Sequence, residues 1–386
     1  MTMTLKQAVE QELVADHDRL AAYLKLETVS AQHREIDETV DFLEQAFKSV
    51  GATVTVWRDV AGSHPFVFAT LPAGPTGNAD KTLLFYNHYD VQPPEPLDEW
   101  QTAPFDLTEV DGKYVARGKD ADENFDITCG VKGIMSFELR VKTAEKDLHS
   151  SLAAYADNAA WRLTRALASL RGPDNRVLVA GFYDDVRVLT AEEQRATAAL
   201  PFNETTTREN FSLKRPLVTT DPVAALVNAT TMTINGLSSG YEGEGVKTVL
   251  PKQATAKLDC RLVPNQEPKK LAQLIQAQLV RNGFEDVEVV YLLGEKPFRS
   301  KLTDPFVQLA VKTAAKIYGD RVKLVPNAAG TGPQVFFGET LQAPIVAFGT
   351  TWAGSGPHAP NENIRIADYQ QDAWYTAEVL RDFGME

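Results

Sequence analysis

Between Gly133 and Leu293 the chain reads as strand, helix, strand, strand, helix, strand, an order that leaves few ways to close a layered domain. The strands are GIMSFELRV, TTMTING, ATAKLDCRLV and VEVVYLL; the helices are NAAWRLTRALASL and EPKKLAQLIQAQLVRNG. This βαββαβ succession is the ferredoxin-like split βαβ pattern. A long polar section, roughly from Gly172 to Asp221 and containing GFYDDVRVLTAEEQ and PFNETTT, separates the first helix from the second strand.

The flanks follow a different rule. Leu5, Val9, Leu13, Leu20 and Leu24 form one helical stripe, and Ile36, Val40, Leu43 and Phe47 form another that stops at Gly51. Strand-like runs come next: ATVTVW, PFVFATL and KTLLFYNHYDV. The last is almost continuously apolar before it turns polar, which predicts a buried central strand with functional groups at its end. Near the C-terminus, TDPFVQLAVKTAAKIYG predicts a helix capped by Asp304, with Pro305 at its first position and a stop at Gly319. APIVAFG predicts a buried strand and DYQQDAWYTAEVLRDFG a final amphipathic helix. Alternating elements at both ends favour one helix-covered sheet into which the middle domain is inserted.

With 386 residues the chain is long enough for two cores. Its formal charge of −13 argues against a nucleic acid or an anionic membrane as partner, since phosphate binding needs a basic surface. The two cysteines, Cys129 and Cys260, exclude a disulfide framework and a thiolate zinc cluster and suit a reducing cytoplasm. No signal peptide and no bilayer-spanning run is evident.

Of the six histidines, His17, His33 and His64 read as surface residues. His88 differs, because it lies two positions from Asp90 at the polar end of an apolar strand, so that both project from one face. An imidazole beside a carboxylate serves a metal site as ligand and orienting partner, and serves equally as a structural hydrogen bond. Asp120, Asp122 and Glu123 place three acids within four residues, a repulsion relieved by solvent or by a cation. His358 sits in a Gly/Pro-rich loop after an apolar strand. In NAAGTGPQVFF, backbone amides and the Thr331 hydroxyl could hold an anion such as a carboxylate.

Taken in order, NHYDVQP, EWQTAPFDL, DGKYVARG, GVKGIMSFELRV with KDLHSS, GYEGEGVKTVLPKQATAKLDCRLVPNQEP, AAGTGPQ and GPHAPNENI make the chain resemble the M20 family of metallopeptidases, in particular its dipeptidase branch. The resemblance runs from the N-terminal helix to Asn363. It implies an α/β catalytic domain, a helix-covered mixed sheet built from residues 1–127 and 300–386, with an inserted ferredoxin-like α+β lid and dimerisation domain at 128–299. It implies metal-dependent hydrolysis of dipeptides or short peptides with a free C-terminal carboxylate, by a water bridging two divalent ions. Zinc is the first expectation, with manganese or cobalt as alternatives. His88 and His358 match the histidine ligands of the two ions, and Asp90 matches the acid that orients His88. The bridging aspartate falls at Asp122, with Asp120 as the alternative. His149 matches a lid histidine that, in a homodimer formed through the lid, reaches the partner's active site and polarises the scissile carbonyl. Arg261, Thr248 and the turn Gly330, Thr331 and Gly332 match groups that bind the substrate carboxylate, a task for which a guanidinium fork is suited.

One part of the family pattern is missing. In its acid loop the family has a pair of acids followed by Lys-Gly, and after that loop come a helix and strands that bear the general-base glutamate and a metal ligand, with another aspartate ligand farther along. Here KDADENF passes from Asn124 almost directly into FDITCGVKGIMSFELRV. Glu192 and Glu193, the adjacent glutamates of LTAEEQ, fall in the polar insert and do not match that motif. Each ion would keep one histidine and a shared aspartate, whereas catalytic zinc usually takes three protein ligands and a water. Weak metal binding and poor hydrolysis are therefore expected of this chain. Three accounts compete: a longer parent dipeptidase from which a stretch is missing, a deleted form that binds or dimerises without activity, and a partner subunit that supplies the acids. Retention of every other ligand favours the first. A family amidohydrolase acting on N-acyl amino acids is the alternative activity.

Overall fold

The computed structural model describes residues 3–59, 61–117, 125–349, 354–356 and 358–385. Asp120, Asp122 and Glu123 therefore lie outside the described residues. The chain divides into two compact units, Met1–Ile127 with Gln308–Val322 and Phe348–Glu386, and Thr128–Val307 with Lys323–Ala347.

The second unit is built on a four-stranded antiparallel sheet. Across it the strands run Glu288–Glu295, Gly133–Lys142, Gln253–Leu262 and Thr233–Ser239. In chain order this is 4-1-3-2, the arrangement that the βαββαβ succession predicts. Alternation drives it: Met135, Phe137, Leu139 and Val141 are buried, while Arg140 and Lys142 between and beyond them are exposed. The buried row meets Leu163, Ala166 and Leu170 of the helix Ala159–Leu170, and Leu271, Ile275 and Leu279 of the helix Pro268–Arg281. Each fully buried side chain of this size contributes roughly 1.5–3 kcal/mol. Asn158 caps the first helix, its Oδ1 accepting from the amides of Ala160 and Trp161 at 2.8 and 3.2 Å. Pro268 opens the second. The polar insert is partly helical, over Ala191–Ala198 and Glu204–Asn210.

In the first unit, the N-terminal stripe forms two helices, Leu5–Ala15 and His17–Leu24, and the next forms Ile36–Ser49. The helix Leu5–Ala15 packs on the last helix, Ile366–Met385. The helix Pro305–Tyr318 begins in the second unit, where the Asp304 cap forms as expected, its Oδ1 accepting from the Phe306 amide at 2.9 Å, and continues in the first. Phe125 stacks on Tyr318, with ring centroids 4.0 Å apart, and meets Phe348 and Tyr375 edge-on or tilted. The strands Thr53–Trp57 and Phe66–Thr70 pair antiparallel and lay their inner face on Ile36–Ser49. Their outer face carries Trp57, Phe66 and Phe68, which are 43–49% exposed. A second small sheet joins Asn363–Arg365, Lys113–Val115 and Thr108–Val110.

Two expected strands do not form. Residues 81–96, including KTLLFYNHYDV, take no regular secondary structure, and Leu84, Phe85 and Tyr86 are 43–50% exposed. APIVAFG is reduced to an isolated bridge between Ala347 and Thr128, with Ser300 bonding Ile345 on both its amide and its carbonyl. A central strand exists only through the ladders on its two sides. Apolar composition marks these runs for a sheet interior, but among the described residues no strand ladder flanks either of them. Among the described residues, no helix is long and apolar enough to cross a membrane.

Candidate active site

Arg117 ties together the first unit's loops that flank the expected site residues. Its side chain is 1% exposed, and Nη1 donates at 3.0 Å to both the Ala359 carbonyl and Glu362 Oε2. Nη2 donates to the Pro93 carbonyl at 3.2 Å, and the Trp100 ring lies 4.8 Å from the guanidinium. Trp100 Nε1 donates to the Pro94 carbonyl at 2.7 Å, and Asn361 bonds both Gln101 and Glu99. One guanidinium thus ties the loop that follows His88 and Asp90 to the loop that carries His358. It does so one residue before the stretch that contains Asp120 and Asp122. The planar fork, with donors on two sides, suits this task as an ammonium would not. Motif reading passed over Arg117; the signal for it was a lone arginine after the apolar pair Val115–Ala116.

His88 is exposed. Its Nδ1 lies 2.8 Å from the Asp90 carbonyl and 3.2 Å from Asp90 Oδ1, and Ser30 Oγ donates to Asp90 Oδ2 at 2.5 Å. This arrangement engages Nδ1 and sets a carboxylate beside the ring. His358 is exposed on a left-handed backbone, φ 62°. Among the described residues, however, no group of three or more His, Cys, Asp or Glu is placed to hold a metal ion. The described residues alone do not fit a catalytic metal centre.

In the second unit, Arg261 Nη1 donates to Thr331 Oγ1 at 2.9 Å, which joins two of the expected carboxylate-binding groups. The Arg261 side chain is 38% exposed, and the space next to Gly330 is open, since a Cβ there would meet nothing within 4 Å. Thr248 lies beside His149: Val249 pairs with His149, and the Ser150 amide donates to the Thr248 carbonyl at 3.1 Å. His149 Nδ1 is engaged by Ser151 at 2.8 Å, and both His149 and Thr248 are exposed.

The same unit holds an unforeseen ion network. Glu193, 3% exposed, is gripped by both amino groups of Arg187, by the Thr190 amide at 2.9 Å and by Arg299 Nη1 at 3.2 Å. Arg299 goes on to Asn228 and Asn327 at 3.1 and 3.2 Å. Burial alone would raise the Glu193 carboxyl, but Arg187, the Thr190 amide and Arg299 hold it down at about 2. Thr190-x-x-Glu193 is readable as a capping box. Its salt bridges, which come from Arg187 before the helix and from Arg299 far along the chain, are not readable that way. A glutamate so committed is no general base.

Residues 84–129 match the peptidase family M20/M25/M40, and residues 129–287 match a peptidase dimerisation domain. The crystal structure of an M20 family metallo-carboxypeptidase, Sso-CP2 from Sulfolobus solfataricus, superposes with a TM-score of 0.85 at 30% identity, covering 96% of this chain and 99% of that one. The chain belongs to the M20 peptidase family. It is therefore of the metallopeptidase class of hydrolases. The Beta-Ala-His dipeptidase of Rattus norvegicus is 23% identical over 80% of this chain and 77% of its own length. The Cys-Gly metallodipeptidase dug1 of Schizosaccharomyces pombe is 22% identical over 91% of this chain and 92% of its own. That last alignment runs over 441 positions, more than the 386 residues of this M20 chain, so the relative contains stretches that have no counterpart here.

Proposed function

We propose that this M20 chain recognises dipeptides or short peptides by their free C-terminal carboxylate, and that it descends from a metal-dependent hydrolase of their peptide bond. The carboxylate would be received by Arg261 with Thr331 and the amides of the Gly330–Gly332 turn; Thr248 and His149 would face substrate from the lid of a second copy. His88, His358 and Asp122, or Asp120 in its place, would be the surviving ligands for divalent cations, zinc before manganese or cobalt. The observation that carries this reading is the Arg117 clamp, which ties the loop that follows His88 to the loop that carries His358. Lacking a general-base carboxylate and a full ligand set, the chain would bind metal weakly and turn over slowly. Pairing through residues 129–287 as a homodimer is supported by the edge strand Thr233–Ser239, where Ile234 and Leu237 are 50% and 60% exposed. Two free, buried cysteines suit the cytoplasm.

The test is hydrolysis of dipeptides beside N-acetyl amino acids, with zinc, manganese or cobalt added, together with metal titration by calorimetry. Activity confined to N-acetyl amino acids would replace the dipeptidase reading by an amidohydrolase one. Carboxylate binding without turnover would identify a binding and dimerisation protein. An intact mass of the native protein above 42.5 kDa would show that a longer parent carries the missing stretch. Failure to bind any peptide carboxylate would refute the proposal.

A further inference from the structure

Lys132 lies just before the lid's first long strand, in the sequence GVKG, and is 2% exposed. Its ammonium donates to the Ala229 carbonyl at 2.6 Å and to the Ala225 carbonyl at 3.3 Å, at the C-terminal end of the helix Pro222–Asn228. Beyond Ala229, the next two residues grip Arg261 by its backbone. Thr230 Oγ1 and the Thr231 amide donate to the Arg261 carbonyl at 2.8 and 3.0 Å, and the Arg261 amide donates to Thr231 Oγ1 at 3.3 Å. On its other side, the Lys132 amide donates to the Ala328 carbonyl at 3.2 Å, three residues before Thr331, whose hydroxyl receives Arg261 Nη1. One lysine therefore holds both segments that meet at the Arg261–Thr331 contact.

Its electrostatic setting is one-sided. The strand Gln253–Leu262 presents Arg261 towards it and the strand Phe298–Arg299 presents Arg299. The helix Pro222–Asn228 offers carbonyls and has no charged side chain. Arg299 is already paired with Glu193, which is shared with Arg187, and Asp259 lies 3.9 Å from Arg261. Lys132 has neutral partners only among these contacts. Burial, followed by Arg261 and Arg299, lowers its amine to about 8. A carboxylate at Arg261 would supply the negative charge that this group lacks.

We propose that Lys132 is the positioning residue of the carboxylate pocket: it fixes the segments carrying Arg261 and Thr331 and adds a buried positive charge behind the bound anion. This rests on the reading that Arg261 and Thr331 receive a carboxylate. The test is calorimetric titration of the full chain with N-acetylalanine, and with its amide as control, from about pH 6 to about pH 10, for wild type, Lys132→Arg and Lys132→Met. Wild-type affinity is expected to be full at the acid end and to fall as pH rises through about 8. Lys132→Arg is expected to keep its affinity across that range. Lys132→Met is expected to bind about tenfold more weakly, with no alkaline limb. If Lys132→Met does not fold, wild type against Lys132→Arg decides, because a limb that persists in the arginine variant overturns the proposal. Equal affinities and equal pH profiles for wild type and Lys132→Met remove the role of Lys132 alone. Failure of the wild type to prefer the acid over the amide removes the pocket reading and this inference together.

Discussion

Arg117 and Glu362, 245 positions apart in the chain, form an ion pair at 3.0 Å with both side chains almost fully buried. The carboxylate pins one arm of a guanidinium whose other arm holds the Pro93 carbonyl. The pair thus ties together two loops that are remote in sequence, the one that follows His88 and the one that carries His358.

Removing one partner of such a pair leaves a buried charge without compensation. Glu362→Gln is expected to destabilise the first unit by about 3 kcal/mol and to weaken the binding of added zinc. Urea unfolding gives the first quantity and metal titration the second. Zinc binding as tight as in wild type would show that Arg117 does not set the metal loops.

In the proposed function Arg261 would offer a charged donor to a carboxylate, an interaction of about 1.5–3 kcal/mol. Arg261→Ala is expected to weaken the binding of a dipeptide by about tenfold to a hundredfold and to leave binding of the corresponding dipeptide amide unchanged. Calorimetry on the two ligands makes the comparison. Equal losses for both would place Arg261 away from the carboxylate.

The Glu193 network predicts an acid limb of stability. The folded value of about 2 lies below the ordinary 4.5, so its contribution is complete above about pH 4.5 and disappears as pH falls through about 2. Glu193→Gln is expected to lower stability by about 3–5 kcal/mol near neutrality, because Arg299 stays buried. The difference from wild type should narrow in acid, as followed by thermal melts across pH.

Asp372 behaves in the opposite sense. Burial, with Asp368 nearby, raises it from 3.8 to about 7, and its Oδ1 has no hydrogen-bond partner. The fold favours the protonated acid, so stability falls as pH rises from 3.8 towards about 7. Asp372→Asn is expected to melt several degrees higher than wild type at alkaline pH and to match it in acid. A melting difference independent of pH would contradict this.

The parts that sequence reading captured are those whose pattern is local. The lid sheet follows from the alternation in GIMSFELRV and ATAKLDCRLV, and Asp304 marks a helix start by chemistry that acts within one turn. KTLLFYNHYDV misled because an apolar run encodes a strand only when neighbours complete its ladder. His88 and His358 stood out by residue type and by family resemblance. Arg117 and Lys132 did not, because their contacts lie at 242 and 97 positions along the chain and a single cation between apolar residues carries no periodic signal. Glu193 read only as part of the polar insert, and its pairing with Arg299, 106 positions away, was hidden for the same reason.

The stretch Leu83–Tyr86 has a colloidal consequence. Half-exposed apolar side chains without a strand ladder invite contact between molecules, and the charge of −13 keeps those molecules apart. Salt shortens the reach of that repulsion to about 10 Å at 0.1 M. Turbidity should therefore rise with ionic strength, and Phe85→Lys should keep the solution clear.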